Sequence, residues 1–260
     1  MHTLILTGGG SAGHAVPNLA LIPLLKDRFR LAYIGTAGIE RGLLKNTGVP
    51  FCTIRAAKLV RGSLTKNLTL PFRFLRGIRE AKRALRETRA EAVFSKGGYV
   101  ALPVVFAARS LGIPVISHES DLTPGLANRL AAKKCRAVLT SFPETAAKFR
   151  NGKYVGPPVR RELFGGDRAA ALSKYGFSGA KPVLLAFGGG SGSAALNAAL
   201  EGALPDLLPR FDVLHIRGKN GGCPARGGYL PLSFEKDMAS AYACADYVLG
   251  RAGSNTVFET

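Results

Sequence analysis

Apolar residues in this chain come in short runs that stop at glycine. Thr3-Leu4-Ile5-Leu6-Thr7 leads into Gly8-Gly9-Gly10, and the apolar stretch Leu19 to Leu25 follows Pro17. A short apolar run, a turn signal and then a longer apolar segment read as strand, glycine turn and helix. The pattern returns at Leu31 to Ile34 before Gly35, at Ala92 to Ser95 before Gly97-Gly98, and at Val115-Ile116-Ser117 before His118-Glu119. It continues at Ala137 to Thr140, Val183 to Phe187, Val213 to Ile216 and Tyr247 to Leu249, with helix-like segments such as Arg73 to Arg89 and Ser193 to Leu204 between runs. Alternation of this kind predicts an α/β fold with largely parallel sheets.

The pattern restarts after Pro157-Pro158, and a strand followed by a glycine loop opens each half, at Leu4 to Gly13 and at Leu184 to Gly192. The expectation is two Rossmann-like, doubly wound units, residues 1–157 and 158–260, facing a cleft. About 80 residues follow Pro182, whereas a full α/β half takes on the order of 150. The second unit is therefore expected to be incomplete, with Ser254 as the cap of a last, short helix.

Composition adds that a core is affordable: 260 residues with 47% hydrophobic and 20% charged content describe a globular chain. No apolar run reaches the roughly 18 to 20 residues needed to cross a bilayer, and Gly8 arrives too soon for a signal-peptide core. The expected compartment is the cytoplasm. Cys52, Cys135, Cys223 and Cys244 form no CxxC pair, so they are expected to be reduced and mostly buried, with neither zinc nor disulfides.

Charge changes the picture. The formal net charge is +19, and 25 Lys/Arg against 8 Asp/Glu lie in the first 157 residues. So local an excess attracts an anionic partner: nucleic acid, an anionic bilayer or a phosphorylated substrate. From Lys58 to Arg89 there are ten Lys/Arg, including Arg61, Lys66, Arg73, Arg76 and Arg79, interleaved with Leu64, Leu68, Phe72, Phe74, Leu75 and Ile78. On a helix Phe74, Leu75 and Ile78 share a face flanked by arginines, which suits a segment lying on an anionic membrane; the alternative is an amphipathic helix packed on the sheet with a solvated charged side. No helix-turn-helix, zinc-finger or RNA-recognition signature accompanies the charge, so nucleic acid is not expected as a partner.

The glycine loop Gly8 to His14 aims backbone N–H groups and a helix dipole at an anion or carbonyl, although a tight turn alone would need the same glycines. It lacks a well-formed G-x-G-x-x-G, and Tyr33-Ile34-Gly35 offers no acidic residue for a ribose. Gly188 to Ser193 repeats the arrangement, and Gly97-Gly98-Tyr99 adds a turn at a strand end. Of the histidines His2, His14, His118 and His215, His14 ends a glycine loop and could act as a base toward a sugar hydroxyl, or merely cap the turn. His118-Glu119 could bind a hydroxyl, orient His14, or hold a loop. His2 and His215 read as structural. No Gly-x-Ser-x-Gly elbow, HExxH or Walker lysine is present, which speaks against hydrolase, zinc-protease and phosphate-loop readings.

Together these residues resemble the MurG family, the transferases that convert lipid I to lipid II in peptidoglycan synthesis. The resemblance rests on Gly8 to His14 with Pro17-Asn18, Ser95 to Val100, His118 to Asn128, Val155 to Arg160, Phe187 to Asn197, Asp237-Met238 with Ala245-Asp246, and Arg251 to Glu259. It implies a GT-B type fold and an inverting, metal-independent transfer of N-acetylglucosamine from UDP-GlcNAc to the 4-hydroxyl of the muramyl sugar of lipid I. UDP-GlcNAc is a substrate, and no cofactor is implied. The place of work would be the cytoplasmic face of the cell membrane, held peripherally.

Carried over residue by residue, the resemblance makes His14 the general base, with Glu119 and Asn128 placing the acceptor or donor sugar. Ser11, Ala12 and Gly13 would face the pyrophosphate. Arg160, Gly190, Ser191, Phe234, Gly253, Ser254, Asn255, Thr256 and Glu259 would hold the UDP group, Glu259 at the ribose diol. Tyr99 would face the acceptor, and Leu68, Phe72, Arg73, Phe74, Leu75, Arg76 and Arg79 the membrane. The chain departs from the pattern at the second glycine loop, Gly188-Gly189-Gly190-Ser191-Gly192, where the serine is shifted, and at Ala12 and Asp121. The family's segments beyond Glu259, a glycine-proline turn, a glutamine-containing donor segment and a final helix, are not in this sequence. Two other readings remain open: a related transferase acting on diacylglycerol, and a non-catalytic basic module for membrane or nucleic acid.

Overall fold

The computed structural model describes residues 1–260 apart from 61, 63, 190, 191 and 219–223. Arg61, Gly190, Ser191 and Cys223, and the side chains of Leu64 and Lys66, therefore lie outside the described residues. The chain divides into two compact units, Met1–Arg160 and Arg161–Thr260.

The first unit runs β1 (His2–Thr7), α1 (Ala12–Leu25), β2 (Phe29–Gly35), α2 (Ile39–Leu44), β3 (Phe51–Thr53), α3 (Leu64–Asn67) and α4 (Leu70–Glu87). It continues through β4 (Ala92–Ser95), α5 (Ala101–Ser110), β5 (Val115–Glu119), α6 (Leu126–Ala132), β6 (Ala137–Thr140), α7 (Pro143–Ala146) and β7 (Gly152–Tyr154). All seven strands pair in parallel in the order β3-β2-β1-β4-β5-β6-β7. Because side chains alternate across a strand, Ile5 and Ile34 enter a core with Ala81, Leu85, Val104 and Val105 of α4 and α5. Leu6 and Tyr33 enter the opposite core, with Ile22 and Leu44 of α1 and α2. Both faces are covered, which is why the strands read as continuous apolar runs.

The second unit holds a 3-10 turn (Arg161–Leu163), α8 (Arg168–Tyr175), β8 (Val183–Phe187), α9 (Ala194–Leu207), β9 (Asp212–Ile216), β10 (Tyr229–Leu232), α10 (Met238–Cys244), β11 (Tyr247–Gly250) and α11 (Ser254–Glu259). Its parallel sheet has the order β10-β9-β8-β11. Val183, Leu185 and Phe187 pack toward α8 and α10, while Ala186 packs with Leu200 and Leu204 of α9. Asp167 starts α8 by accepting from the Ala169 and Ala170 amides, and Gly176 ends it in the left-handed region at φ 71°.

Sequence order reverses between β1 and β4 in the first unit and between β8 and β11 in the second. Open parallel sheets place ligands outside the carboxyl ends of such neighbouring strands. Gly8 to His14 and Lys96 to Tyr99 leave one switch point; the segment from Gly188 and residues 251–253 leave the other.

Several expectations need correction. Strand β5 extends through His118 and Glu119, so both belong to the sheet rather than to a loop after it. Gly253 precedes α11 as its cap, and Ser254 is the first helical residue. Of the described cysteines only Cys244 is buried; Cys52 and Cys135 are half-buried. Strands β3, β7 and β10 had no sequence signal because each is a three- or four-residue edge strand, and β10 contains Pro231, a residue tolerated on edges.

Candidate active site

The first glycine loop is built around backbone packing. Thr7 ends β1, Tyr33 reaches across from β2 to donate to the Gly8 carbonyl at 2.5 Å, and buried Asn18 donates to the Thr7 carbonyl at 3.3 Å. Beneath the loop lies Glu40, fully buried, whose carboxylate accepts from the Thr36 amide (2.9 Å), the Thr36 hydroxyl and the Gly10 amide (3.3 Å). Sequence reading passed over Glu40 because it is five residues beyond the end of β2; only the fold brings it under the glycines.

The turn after β4 presses directly on this loop. Gly98 has φ +78°, and a Cβ on it would collide with the Gly9 carbonyl and stand 2.9 Å from His14 Cδ2. The neighbouring Gly97 leaves room for Asn128 in the same way. His14 itself is half-buried, and its Nδ1 lies 3.1 Å from the Lys96 carbonyl. A carbonyl can only accept, so Nδ1 carries a proton, and in the neutral ring the lone pair is then on Nε2. Ser11 begins α1 in extended conformation with its exposed hydroxyl making no cap bond. The first-turn amides of Ala12 and Gly13 have no partner within α1, as at any helix start. Pro17, inside α1, also leaves the Gly13 carbonyl without its usual amide.

Lys96 ties the site together. It is 1% exposed, and its ammonium meets His118 Nδ1 at 2.6 Å and the Ser120 hydroxyl. His118 Nε2 donates to the Gly156 carbonyl at 3.0 Å, which leaves Nδ1 as the acceptor Lys96 needs. Burial pushes the Lys96 ammonium down to about 7, against the opposing pull of Glu119 and Asp121. Burial first and the Lys96 charge second push His118 down to about 3, so its ring is neutral at pH 7.

His118 thus does not orient His14, and Glu119 is not open to a reactant. The Glu119 carboxylate accepts from the Asp121 amide (3.0 Å), the Gly125 amide (3.0 Å) and Asn128 Nδ2 (2.9 Å), and the residue is 1% exposed. It holds the loop 120–125 and aims Asn128, the loop-holding alternative among those the sequence left open. Asn128 Oδ1 is buried with no hydrogen-bond partner. An orphan acceptor of this kind is costly unless something donates to it. Tyr99 is half-buried, beside Gly10.

On α4 the expected apolar stripe divides. Phe74 packs edge-on against Phe106 of α5, and Ile78 joins the core, so Phe74 faces inward rather than toward a membrane. Phe72 (76% exposed), Leu68 (72%) and Leu75 (52%) stay outside, with exposed Arg73, Arg76 and Arg79 beside them.

In the second unit Ser193 caps α9 by accepting from the Leu196 amide (3.4 Å). Asn197 Nδ2 donates to the Arg217 carbonyl (3.0 Å), so its Oδ1 accepts from His215 Nε2 (3.0 Å), and His215 Nδ1 accepts from the Tyr229 hydroxyl (3.0 Å). This buried chain fixes the end of β9 beside the glycine segment, and burial pushes His215 down to about 4. Phe234 is exposed after β10, Gly253 precedes α11, and Ser254, Asn255, Thr256 and Glu259 lie half-buried on it. Ser254 Oγ has no partner. Arg160 is half-buried at the end of the first unit. Among the described residues no three His, Cys, Asp or Glu side chains are grouped so as to hold a metal ion, and no helix is long and apolar enough to cross a membrane.

A family model described as the glycosyltransferase family 28 N-terminal domain matches residues 4–140, and one described as the C-terminal domain of the same family matches residues 183–260. The chain belongs to glycosyltransferase family 28. Its family 28 relatives include proteins named UDP-N-acetylglucosamine–N-acetylmuramyl-(pentapeptide) pyrophosphoryl-undecaprenol N-acetylglucosamine transferase. The one from Lachnospira eligens is 43% identical over 270 residues, covering 100% of this chain and 75% of the relative. The one from Clostridium kluyveri is 44% identical over 267 residues, covering 100% and 76%. The crystal structure of Acinetobacter baumannii MurG matches with a TM-score of 0.71 at 29% identity, over 100% of this chain and 76% of that one. The calicheamicin glycosyltransferase CalG4 matches with a TM-score of 0.68 at 14% identity, over 99% and 76%, a likeness of fold alone. Family 28 membership and these neighbours agree with the GT-B type α/β architecture expected from the sequence.

Proposed function

We propose that this chain transfers N-acetylglucosamine from UDP-GlcNAc to the 4-hydroxyl of the muramyl sugar of a pyrophosphoryl-undecaprenol-linked acceptor. The observation that carries this reading is identity of 40–44% across essentially the whole chain with transferases named for that reaction.

In the step proposed, the acceptor O4 attacks the anomeric carbon of the sugar, the bond from that carbon to the UDP oxygen breaks, and the O4 proton passes to His14 Nε2. The free lone pair on Nε2 supports this assignment. Asn128 Oδ1 receives a sugar hydroxyl, and Glu119 positions Asn128 without touching substrate. The Ser11 hydroxyl and the Ala12 and Gly13 amides take a phosphate at the positive end of α1. Arg160, Phe234 and the segment Gly253 to Glu259 hold the UDP group. No metal or cofactor takes part in this scheme.

The enzyme is proposed to work peripherally on an anionic membrane surface, the cytoplasmic face, through Leu68, Phe72 and Leu75 with Arg73, Arg76 and Arg79. At roughly 1 kcal/mol per basic residue near such a surface, four or five engaged residues hold the protein there.

The test offers UDP-GlcNAc with either the lipid-linked muramyl acceptor or diacylglycerol. Disaccharide lipid is the expected product; N-acetylglucosaminyl-diacylglycerol alone supports the diacylglycerol transferase instead. Absence of saturable UDP-GlcNAc binding together with tight DNA binding at physiological salt would point to a basic binding module.

A further inference from the structure

A cavity of about 390 Å³ lies in the second unit at the amino ends of β9 and β10, where Asp212 and Tyr229 begin those strands. Its size falls in the roughly 300 to 1,000 Å³ range of small-molecule sites. The glycine segment from Gly188 leaves the carboxyl end of β8, and none of the residues assigned to donor or acceptor is among the lining. The transfer proposed above makes no use of this space.

Asp212 gives the cavity its chemistry. The Asp212 amide donates to the Pro182 carbonyl at 3.0 Å, which pins the first residue of β9 beside the start of β8. The residue is 6% exposed, yet among the described residues its carboxylate has no hydrogen-bond or ion-pair partner. Gly228 keeps that carboxylate uncovered. It is the third residue of the turn that Tyr229 closes by donating to the Arg226 carbonyl at 2.7 Å, its φ is +76°, and a Cβ on it would stand 3.0 Å from Asp212 Oδ1. A carboxylate withdrawn from water without a partner is costly, and a positive donor placed against it offsets that cost.

The other walls decide what kind of cation fits. Tyr175 and Phe177, with ring centroids 6.5 Å apart, form an aromatic side. The Tyr175 hydroxyl is already committed to Glu235 (3.1 Å) and to the Asp237 carbonyl (3.4 Å), so this side adds apolar surface rather than a second acid. Arg226 stands at the exposed rim with its guanidinium 5.9 Å from the centre of the Tyr229 ring, and among the described residues it makes no ion pair. Its charge is screened by solvent whereas that of Asp212 is not, so the buried carboxylate sets the sign of the ligand. Among the described residues no three His, Cys, Asp or Glu side chains are grouped to hold a metal ion, and one carboxylate beside aromatic rings suits an organic cation instead.

We propose that the cavity anchored by Asp212 binds a small organic ammonium ion, with the charged nitrogen on the Asp212 carboxylate and the apolar body against Tyr175, Phe177 and the Gly227-Gly228 turn. The site stands independently of the transferase reading, because its lining shares no residue with the groups assigned there. A ligand held at the amino ends of the strands does not compete with one held at their carboxyl ends.

The experiment is a calorimetric titration of the full chain with three probes of one shape: tyramine, a cation; 4-ethylphenol, neutral; and 3-(4-hydroxyphenyl)propionate, an anion. Saturable one-to-one binding of tyramine is expected, with the other two weaker by roughly tenfold or more, as the loss of one charge-assisted contact implies. Asp212→Asn keeps the shape, removes the charge and is expected to weaken tyramine by the same roughly tenfold factor. Arg226→Gln removes the opposing charge at the rim and is expected to tighten tyramine by roughly twofold. Circular dichroism verifies that both variants fold, and Arg226→Gln, an exposed change, keeps the test decisive if Asp212→Asn does not. Equal binding of the three probes, no saturable binding, tyramine binding untouched by Asp212→Asn, or binding that Arg226→Gln leaves unchanged or weakens overturns the proposal.

Discussion

The ring of His14 lies against the bare Cα of Gly98, so close that a Cβ there would stand 2.9 Å from His14 Cδ2 while colliding with the Gly9 carbonyl. The glycine loop after β1 and the turn after β4 are thereby one packed object, and the tautomer of His14 is set from the same turn by the Lys96 carbonyl.

Replacing Gly98 with alanine forces a left-handed φ on a residue that resists it and pushes the His14 ring aside. Turnover is expected to fall at least tenfold and the urea midpoint to drop by the equivalent of about 1 to 3 kcal/mol. Paired kinetics and urea melts check this; unchanged turnover would show that His14 need not sit where the turn holds it.

His14→Ala removes the proposed base and leaves Lys96, Gly98 and the second unit in place. Turnover is expected to fall by about 10²- to 10⁴-fold with UDP affinity nearly unchanged. Single-turnover rates and UDP titration read the two separately, and a variant that turns over normally removes His14 from the role.

Acid stability follows from two neutral imidazoles. His118 and His215 are lowered in the fold to about 3 and about 4, so between those values and the ordinary 6.5 the unfolded chain binds more protons than the folded one. The stability that these two rings contribute is fully present above pH 6.5 and is lost as pH falls through that window. His118→Asn removes this titration while its Oδ1 stands in for Nδ1 as an acceptor for Lys96, and it is expected to reduce the fall of the urea midpoint between pH 6.5 and 4, the remainder belonging to His215.

Lys96 acts in the alkaline direction. Its folded value of about 7 lies below the ordinary 10.5, so the unfolded chain again holds the extra proton, and stability should rise with pH from 7 to about 8.5, above which the half-buried Cys135 and the buried Tyr33, both raised by burial, act in the opposite direction. Lys96→Met should abolish that rise. A wild-type midpoint that stays level over this range contradicts the buried amine.

Asn197→Ala removes the partner of buried His215 Nε2. A loss of about 1 to 3 kcal/mol is expected, the cost of leaving a buried polar group unpaired. Chemical denaturation followed by hydrogen exchange at β9 measures it; a neutral result would mean that water replaces the side chain.

The sequence determined what is local or periodic. Apolar runs marked β1, β4, β6, β8 and β9 nearly to the residue and the middle of β2, because strands packed on both faces carry an uninterrupted signal, and β11, although exposed along its length, shows the same apolar run. His14, Asn128 and the glycine loops were legible because they form contiguous motifs, and the family resemblance rests on the same short blocks. Only the tertiary structure decided the relations between segments distant in sequence. It turned Glu119 inward to hold a loop, joined Lys96 to His118 across two strands, slid Glu40 under the glycines and split the α4 stripe between Phe74 inside and Phe72 outside. A pattern along the chain states which residues avoid water, whereas the partner of a buried charge is set by which strand lies next to which.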